Sequence, residues 1–565
     1  MTITVRALFA AALCVIASSA TAQMAGPMGA MRMPPMPTVY GGQADKPGAP
    51  VFRGLGDHHH AISTHNKATQ ALFDQGVQLL FGFNHAEAIR SFREAARLDP
   101  ACAMCWWGVA FALGPNINLP MPADAVPPAW QALAKAQALE GGGTPEERAW
   151  IAALATRYSP DPTADRKPLD EAFAAAMGRV WRNYPTDLDA GVFWAEAMMD
   201  TQPWDYWQAD GATPKGHGAE IVAALERVIA AEPRHPGALH LYIHAVEGST
   251  TPERAEAAAD RLATLMPGAG HIVHMPSHIY YRVGRYRDAI EANRRAAKVD
   301  ESYIAACKAQ GYYPIGYYGH NIHFLWSTSQ MMGRYGDALG AARRLVKAVN
   351  AVETAKTLPY AELYALTPVA TLLRFGRWRE ILAEPAPPAS LKIDSALWLQ
   401  ARGFALANTG DLDSAREVRT LLALLAGEDL AAYDAAGLPA RQMVALSLAL
   451  LDGEIARKGG KLGDSVAHFK QAAEIERNLP YTEPPYAYQP VSHVLGEALI
   501  EDGRAPEAEA VYRASLQVYR RDGWSLMGLS QALAAQHKTK EAARARGDFR
   551  AAWVNADVTL GASRF

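Results

Sequence analysis

"TQALFDQGVQLLFGFNHAEAIRSFREAARLDP", residues 69–100, decides how the rest of the chain is read. From Thr69 onward the apolar residues take a helical period. Counting Thr69 as position 1, Gly76 falls at 8, Ala88 at 20, Phe92 at 24, Ala95 at 27 and Pro100 at 32. Small residues at these places let two successive helices approach closely, and the proline ends the second of them.

These are the signature positions of the tetratricopeptide repeat, a 34-residue helix pair that buries its apolar face only by stacking on its neighbours. Looser copies run outward from the first. Counting from Pro236, Ala255 is at 20 and Pro267 at 32; from Gly270, Tyr286 is at 17, Ala289 at 20 and Ala296 at 27; from Gly319, Tyr335 is at 17 and Ala338 at 20. Gly403 with Ala415, and Gly496 with Ala508, repeat the 8 and 20 pair further on. Strand signals are almost absent, so the fold class expected is all-α, a right-handed tetratricopeptide-like solenoid. Helical insertions are expected over 115–235, where the register is lost.

At 565 residues and 50% hydrophobic, the chain exceeds one compact core, which suits a repeat array. Its 55 basic and 58 acidic residues nearly cancel, leaving no basic field for nucleic acid and no polybasic face for a membrane. No stretch after the N-terminus reaches the roughly 18 apolar residues of a membrane span. Residues 1–22 read as a cleavable signal peptide, with Arg6, an apolar run from Ala7 to Ile16 and Ala20-Thr21-Ala22 before the cut. A periplasmic or secreted protein is expected. Residues 23–60 form a Met/Pro/Gly-rich segment expected to be flexible, with thioethers at Met24, Met28, Met31, Met33 and Met36. Then follow an N-terminal repeat with helical insertions (61–235), histidine-rich repeats (236–350) and C-terminal repeats (351–565). Cys102 and Cys105, in "CAMCWW", are read as a disulfide or a buried thiol pair, since one such pair brings only two metal ligands.

The phrases "FNHAEAIRSFREAARLDPACAMCWWGVAFALGPNIN", "HMPSHIYYRVGRYRDAI", "LPYTEPP" and "AWVNADVTLGASRF" resemble a group of bacterial exported tetratricopeptide-repeat proteins, more distantly similar to the tetratricopeptide repeat protein 38 family. The resemblance implies the fold and export. It implies no activity.

Function is sought in the histidines. Seven of 17 lie between residues 240 and 323, where an even spread would place two or three. They are His240, His244, His271, His274, His278, His320 and His323, and they fall on the first helix of three successive repeats, the helices that line the concave groove. His240, His244 and Glu247 share one helical stripe, as do His320 and His323. Pro276 suits a first helical turn, which would leave His271 and His274 in the preceding loop. Imidazole suits copper, zinc, iron and nickel, and the seven rings would suffice for two three-ligand centres. The Met-rich lead and the oxidising compartment favour copper over zinc or iron.

Glu247 is a candidate ligand or general base, and Arg282, four residues after His278, a candidate for holding a substrate carboxylate or for pairing with Glu247. Glu196, Asp200 and Glu362 could orient a ligand, or simply form salt bridges and caps. "DHHH", ending at His60, is either an exposed metal-scavenging patch or a polar approach to the first helix. No phosphate loop, H-E-x-x-H, G-x-S-x-G or dinucleotide fingerprint is present. Three readings stay open: a metalloenzyme acting on a small, aromatic molecule in the groove, a metal-buffering or delivery protein, and a scaffold whose groove binds a protein or peptide without metal.

Overall fold

Phe92 shows how the repeat is built. A computed structural model describes residues 33–565, in which α1 (Lys67–Phe81), α2 (His85–Leu98) and α3 (Ala103–Ala112) follow one another. Asn66 starts α1 by accepting the free amides of Ala68 and Thr69 at 2.9 and 3.3 Å. The Phe92 ring on α2 is fully buried between Gly76 of α1 and Gly108 of α3, and a Cβ on either glycine would overlap it. One ring thus keys three helices together. The device recurs near the C-terminus, where Tyr512 lies between Gly496 and Gly528.

The expected insertions over 115–235 are α4 (Val126–Leu139), α5 (Pro145–Ala155), α6 (Arg166–Asn183), α7 (Leu188–Thr201) and α8 (Gly218–Ala231). The histidine-rich part holds α9 (Pro236–Glu247), α10 (Glu256–Leu265), α11 (Gly270–His274), α12 (Pro276–Arg282), α13 (Tyr286–Cys307), α14 (Gly319–Met331) and α15 (Tyr335–Ala348). Helix pairs continue to Thr539–Ala552, each packed on its neighbours in sequence, as in a tetratricopeptide-like solenoid. Among the described residues β structure is limited to two isolated bridges, and no helix is long and apolar enough to cross a membrane.

Two expectations need correcting. Residues 33–60 are not a loose lead: Met36, Tyr40, Gln43 and Ala44 are buried, and the Tyr40 hydroxyl donates to Ala112 O at 3.1 Å. Apolar Tyr40 and Met36 repay the ordering of this strap by burial against the first repeat. The expected signal peptide, with Met24, Met28 and Met31, lies outside the described residues. Pro276, in turn, does not leave His271 and His274 in a loop. Met275 stays in the right-handed helical region, so the proline breaks α11 from α12 without changing the chain's direction of winding. Cys102 and Cys105 are joined as a disulfide.

The solenoid closes on itself. One hydrophobic core runs from Met36 to Tyr317 and a second from Tyr281 to Leu560, so they meet at the histidine-rich repeats. Residues from the C-terminal repeats reach back across the groove: Arg520 pairs with Glu253 at 2.9 Å, and the Trp524 indole donates to Gln330 O at 3.0 Å. At the far end buried Glu454 is held by Arg457 at 3.0 Å and Arg564 at 2.8 Å, which ties down the C-terminal tail.

Candidate metal centre

Six of the seven histidines meet, in two groups of three. His240, His244 and His271, from α9 and α11, form one; His274, His278 and His320, from α11, α12 and α14, form the other. Within each group the ligand atoms lie within 4.8 Å of one another. His240 and His271 face each other Nε2 to Nε2 at 3.2 Å, while His278 Nε2 stands 2.8 Å from that of His274 and 3.5 Å from that of His320. Nitrogens bound to one tetrahedral ion at about 2.0–2.1 Å are about 3.3–3.4 Å apart. The two groups adjoin, with 5.8 Å between the ring centres of His271 and His274 and 5.6 Å between those of His244 and His278.

The outer nitrogens explain why these faces point inward. His240 Nδ1 is 2.7 Å from Phe81 O, and His274 Nδ1 is 2.6 Å from Asn293 Oδ1, whose amide is itself aimed by a 2.8 Å bond to Ala289 O. His244 Nδ1 lies 2.8 Å from Glu247 Oε1, and His278 Nδ1 lies 2.5 Å from Glu247 Oε2 and 3.1 Å from Glu483 Oε2. Each partner is an acceptor, so each Nδ1 carries hydrogen, which leaves the Nε2 lone pairs of His240, His244 and His274 facing the interior. Glu247 therefore serves one imidazole of each group.

Burial sets the protonation. His240, His244, His271, His274 and His320 are all held well below the usual imidazole range, first by desolvation and then by neighbouring imidazoles, which for His244, His274 and His320 means His278 above all, so they are neutral bases at pH 7. Burial opposes charge on His278 too, but Glu247 and Glu483 outweigh it and lift that ring to about 10. One positive charge is thus held at this point, and an ion on Nε2 would supply it in place of the proton. His244 Nε2 is buried with no hydrogen-bond partner among the described residues, an orphan that a neutral polar core would have satisfied. Five neutral imidazoles, with His278 as the sixth once an ion takes the place of its proton, fit a transition metal.

The remaining candidates take other places. His323 does not join: one turn beyond His320 its ring stacks on Trp326, with centres 5.2 Å apart, and packs against Tyr364 and Tyr488. A three-residue step turns the side chain about 60° round the helix, enough to leave the cluster. Arg282 is not free for a substrate, because its guanidinium is bonded to Glu247 O and, at 3.0 Å, to Ser249 O, with Glu483 at 3.8 Å. Asp200 pairs with buried Arg157, and Glu362 accepts the amides of Ile393 and Asp394 at 2.9 and 3.2 Å, a cap. "DHHH" is divided: Asp57 and His59 are exposed, His59 pairing with Asp74 at 2.8 Å, whereas His58 and His60 converge with His235 on buried Asp189 at 3.1, 2.7 and 3.0 Å. His235 Nδ1 accepts the Ala238 amide at 3.3 Å, so its Nε2 bears the hydrogen that Asp189 accepts and is not open to metal. This group fastens the strap to α7 and α9.

Sequence reasoning missed Glu483, Asn293 and the Phe81 carbonyl. Glu483 arrives on the loop 479–489 from 205 residues away, and its one visible sign was the unusual "LPYTEPP".

No protein-family model matches the chain, and no curated protein matches it. Among solved structures, human IFIT1 in its dimer with PPP-AAAA is similar at 12% identity and a TM-score of 0.31, covering 85% of this chain and 90% of that one. Yeast Tom70 is similar at 10% identity and a TM-score of 0.28, with 84% and 90% covered. Likeness at this level carries nothing about what this chain binds.

Proposed function

We propose that this chain is an exported metalloprotein that holds a pair of transition-metal ions, copper first among them, one on His240, His244 and His271 and the other on His274, His278 and His320. One observation carries the reading: six inward nitrogens in two adjoining groups, four of them with the opposite nitrogen committed to an acceptor. All-imidazole sites without thiolate or carboxylate suit copper or zinc better than magnesium, calcium or a carboxylate-bound iron. Copper would supply one-electron and dioxygen chemistry at this point. The chain's part is to hold five of the rings as neutral donors and His278 where an ion can replace its proton, to exclude bulk water, and to keep Glu247 as a common anchor beneath both groups.

The test is elemental analysis of the full-length protein purified from the compartment in which it matures. About two ions per chain are expected, falling to about one when His240 and His244 are both replaced by Ala. Less than about 0.2 ion per chain after incubation with copper or zinc, the same for that variant, would sink the proposal.

A further inference from the structure

The seam at which the solenoid closes holds a cleft. There the turn between α12 and α13 meets the turn 519–522 of the C-terminal repeats, so closely that Gly284, at a left-handed φ of +78°, admits no side chain: a Cβ would overlap Arg520 O. Beside this contact the first turn of α13, the helix Thr539–Ala552 and their neighbours bound a cavity of about 640 Å³. Sites for small organic molecules run from roughly 300 to 1,000 Å³, so a ligand of several carbons has room.

The lining has two characters. Its buried part is apolar, made by the Tyr286 ring, Met332 and Leu526 and continued by half-buried Leu516. Its exposed part is charged. Arg285 is already occupied, by Asp288 at 2.6 Å and by Glu256 and Asp260 at 2.9 Å each. Arg287 and Arg521 are different: among the described residues neither has an ion-pair or hydrogen-bond partner. The backbone at Arg521, with a φ of +58°, would suit glycine, yet an arginine stands there with nothing to bond. In addition, α13 begins in this lining with no side chain capping its first amides, and its 22 residues direct the positive end of the helix dipole here. Asp548 is the one acid of the lining without a partner among the described residues, so positive charge exceeds negative.

We propose that this cleft binds a medium-chain aliphatic carboxylate, its carboxylate held by Arg287 and Arg521 over the start of α13 and its chain laid along Met332, Leu516 and Leu526. A guanidinium offers parallel N–H groups that match a carboxylate's two oxygens. An alcohol of the same length leaves both guanidiniums without an acceptor, a short carboxylate leaves the apolar lining in water, and an aliphatic ammonium finds only Asp548. The cleft shares no residue with the histidine groups, so its assignment stands apart from the metal reading.

Calorimetric titration of the full-length protein with decanoate, kept below micelle-forming concentrations, tests it, with acetate, decan-1-ol and decyltrimethylammonium as comparison probes. Saturable one-to-one binding of decanoate is expected, with each comparison probe at least about tenfold weaker. Added salt should weaken it, since the arginines are exposed. Replacing both arginines, Arg287→Ala with Arg521→Ala, breaks no bond within the chain and should weaken decanoate by about tenfold or more. Ala551→Trp, from an exposed position on the helix Thr539–Ala552, should fill the cleft and abolish binding. No saturable decanoate binding, decan-1-ol or decyltrimethylammonium binding as tightly, or binding indifferent to the loss of both arginines overturns the inference.

Discussion

Glu247 carries more of the centre than any single histidine, because its two oxygens reach one imidazole of each group. Glu247→Gln keeps the shape, but its amide nitrogen must point a donor at one Nδ1–H. Loss of such an outer partner costs about 10–100-fold in metal affinity, to be read by competition against a chelator, with both ions affected. Affinity unchanged would mean that the carboxylate only fills space. A second residue-scale expectation concerns His60. Burial opposes its charge, but the bond to Asp189 outweighs it and raises the ring to about 9 from 6.5. The raised value means that its contribution is complete below pH 6.5 and is lost as pH rises through 9. Thermal melts should therefore fall across that interval, and His60→Asn should flatten the slope. The histidines themselves were legible in the sequence because offsets of 3, 4 and 7 on one helix are geometry. Glu483 was not, since a loop's landing point depends on how far the solenoid curls.

At the scale of the helix, the spacing that revealed the first repeat also states how helices are joined. Gly at position 8 and an aromatic at 24 were visible in residues 69–100; the structure adds that the ring is gripped from both sides, by Gly76 and Gly108. Gly528→Val places a branched side chain against Tyr512, and overpacking of this kind costs about 1–3 kcal/mol. A lowered urea midpoint with an unchanged slope is expected, and an unchanged midpoint would show that Tyr512 can swing aside. Because Tyr512 and Gly528 lie in the last helices of the chain, the loss should be felt chiefly there and at the Trp524 contact with Gln330. The 34-residue register could not be followed through 115–235, where helices as long as α6 depart from the repeat length. Nor could the helical winding of α11 through Pro276 be read, since a proline marks a possible break without saying whether the chain turns there. His323 was misjudged for a related reason: a three-residue offset shares a face only for a partner broad enough to span 60°.

For the molecule as a whole, what the sequence left hidden is closure. Repeat spacing describes neighbours, and the contacts that bury the histidines join residues some 200 positions apart. The C-terminal tail is fixed separately, within the C-terminal repeats, through Arg564. It and Arg457 outweigh the cost of burying Glu454 and depress that carboxyl from 4.5 to about 2. The stabilisation is present above pH 4.5 and fades as pH falls through 2. Arg564→Leu removes one partner from a buried charge, a change that costs about 3–5 kcal/mol, and acid unfolding should begin at a higher pH. Acid unfolding at the same pH would show that Arg457 suffices alone. The meeting of the two cores at the histidines has a further consequence, for folding order. His240, His244, His271, His274 and His278 belong to the earlier helices, whereas His320 and Glu483 come later in the chain and cannot arrive until the curl is complete. The first triad can therefore assemble on a partly folded chain, while the second is among the last parts of the molecule to form. An ion there stabilises only the finished state, by mass action. Loading would make two loosely coupled halves melt together, and its removal would let them come apart one after the other.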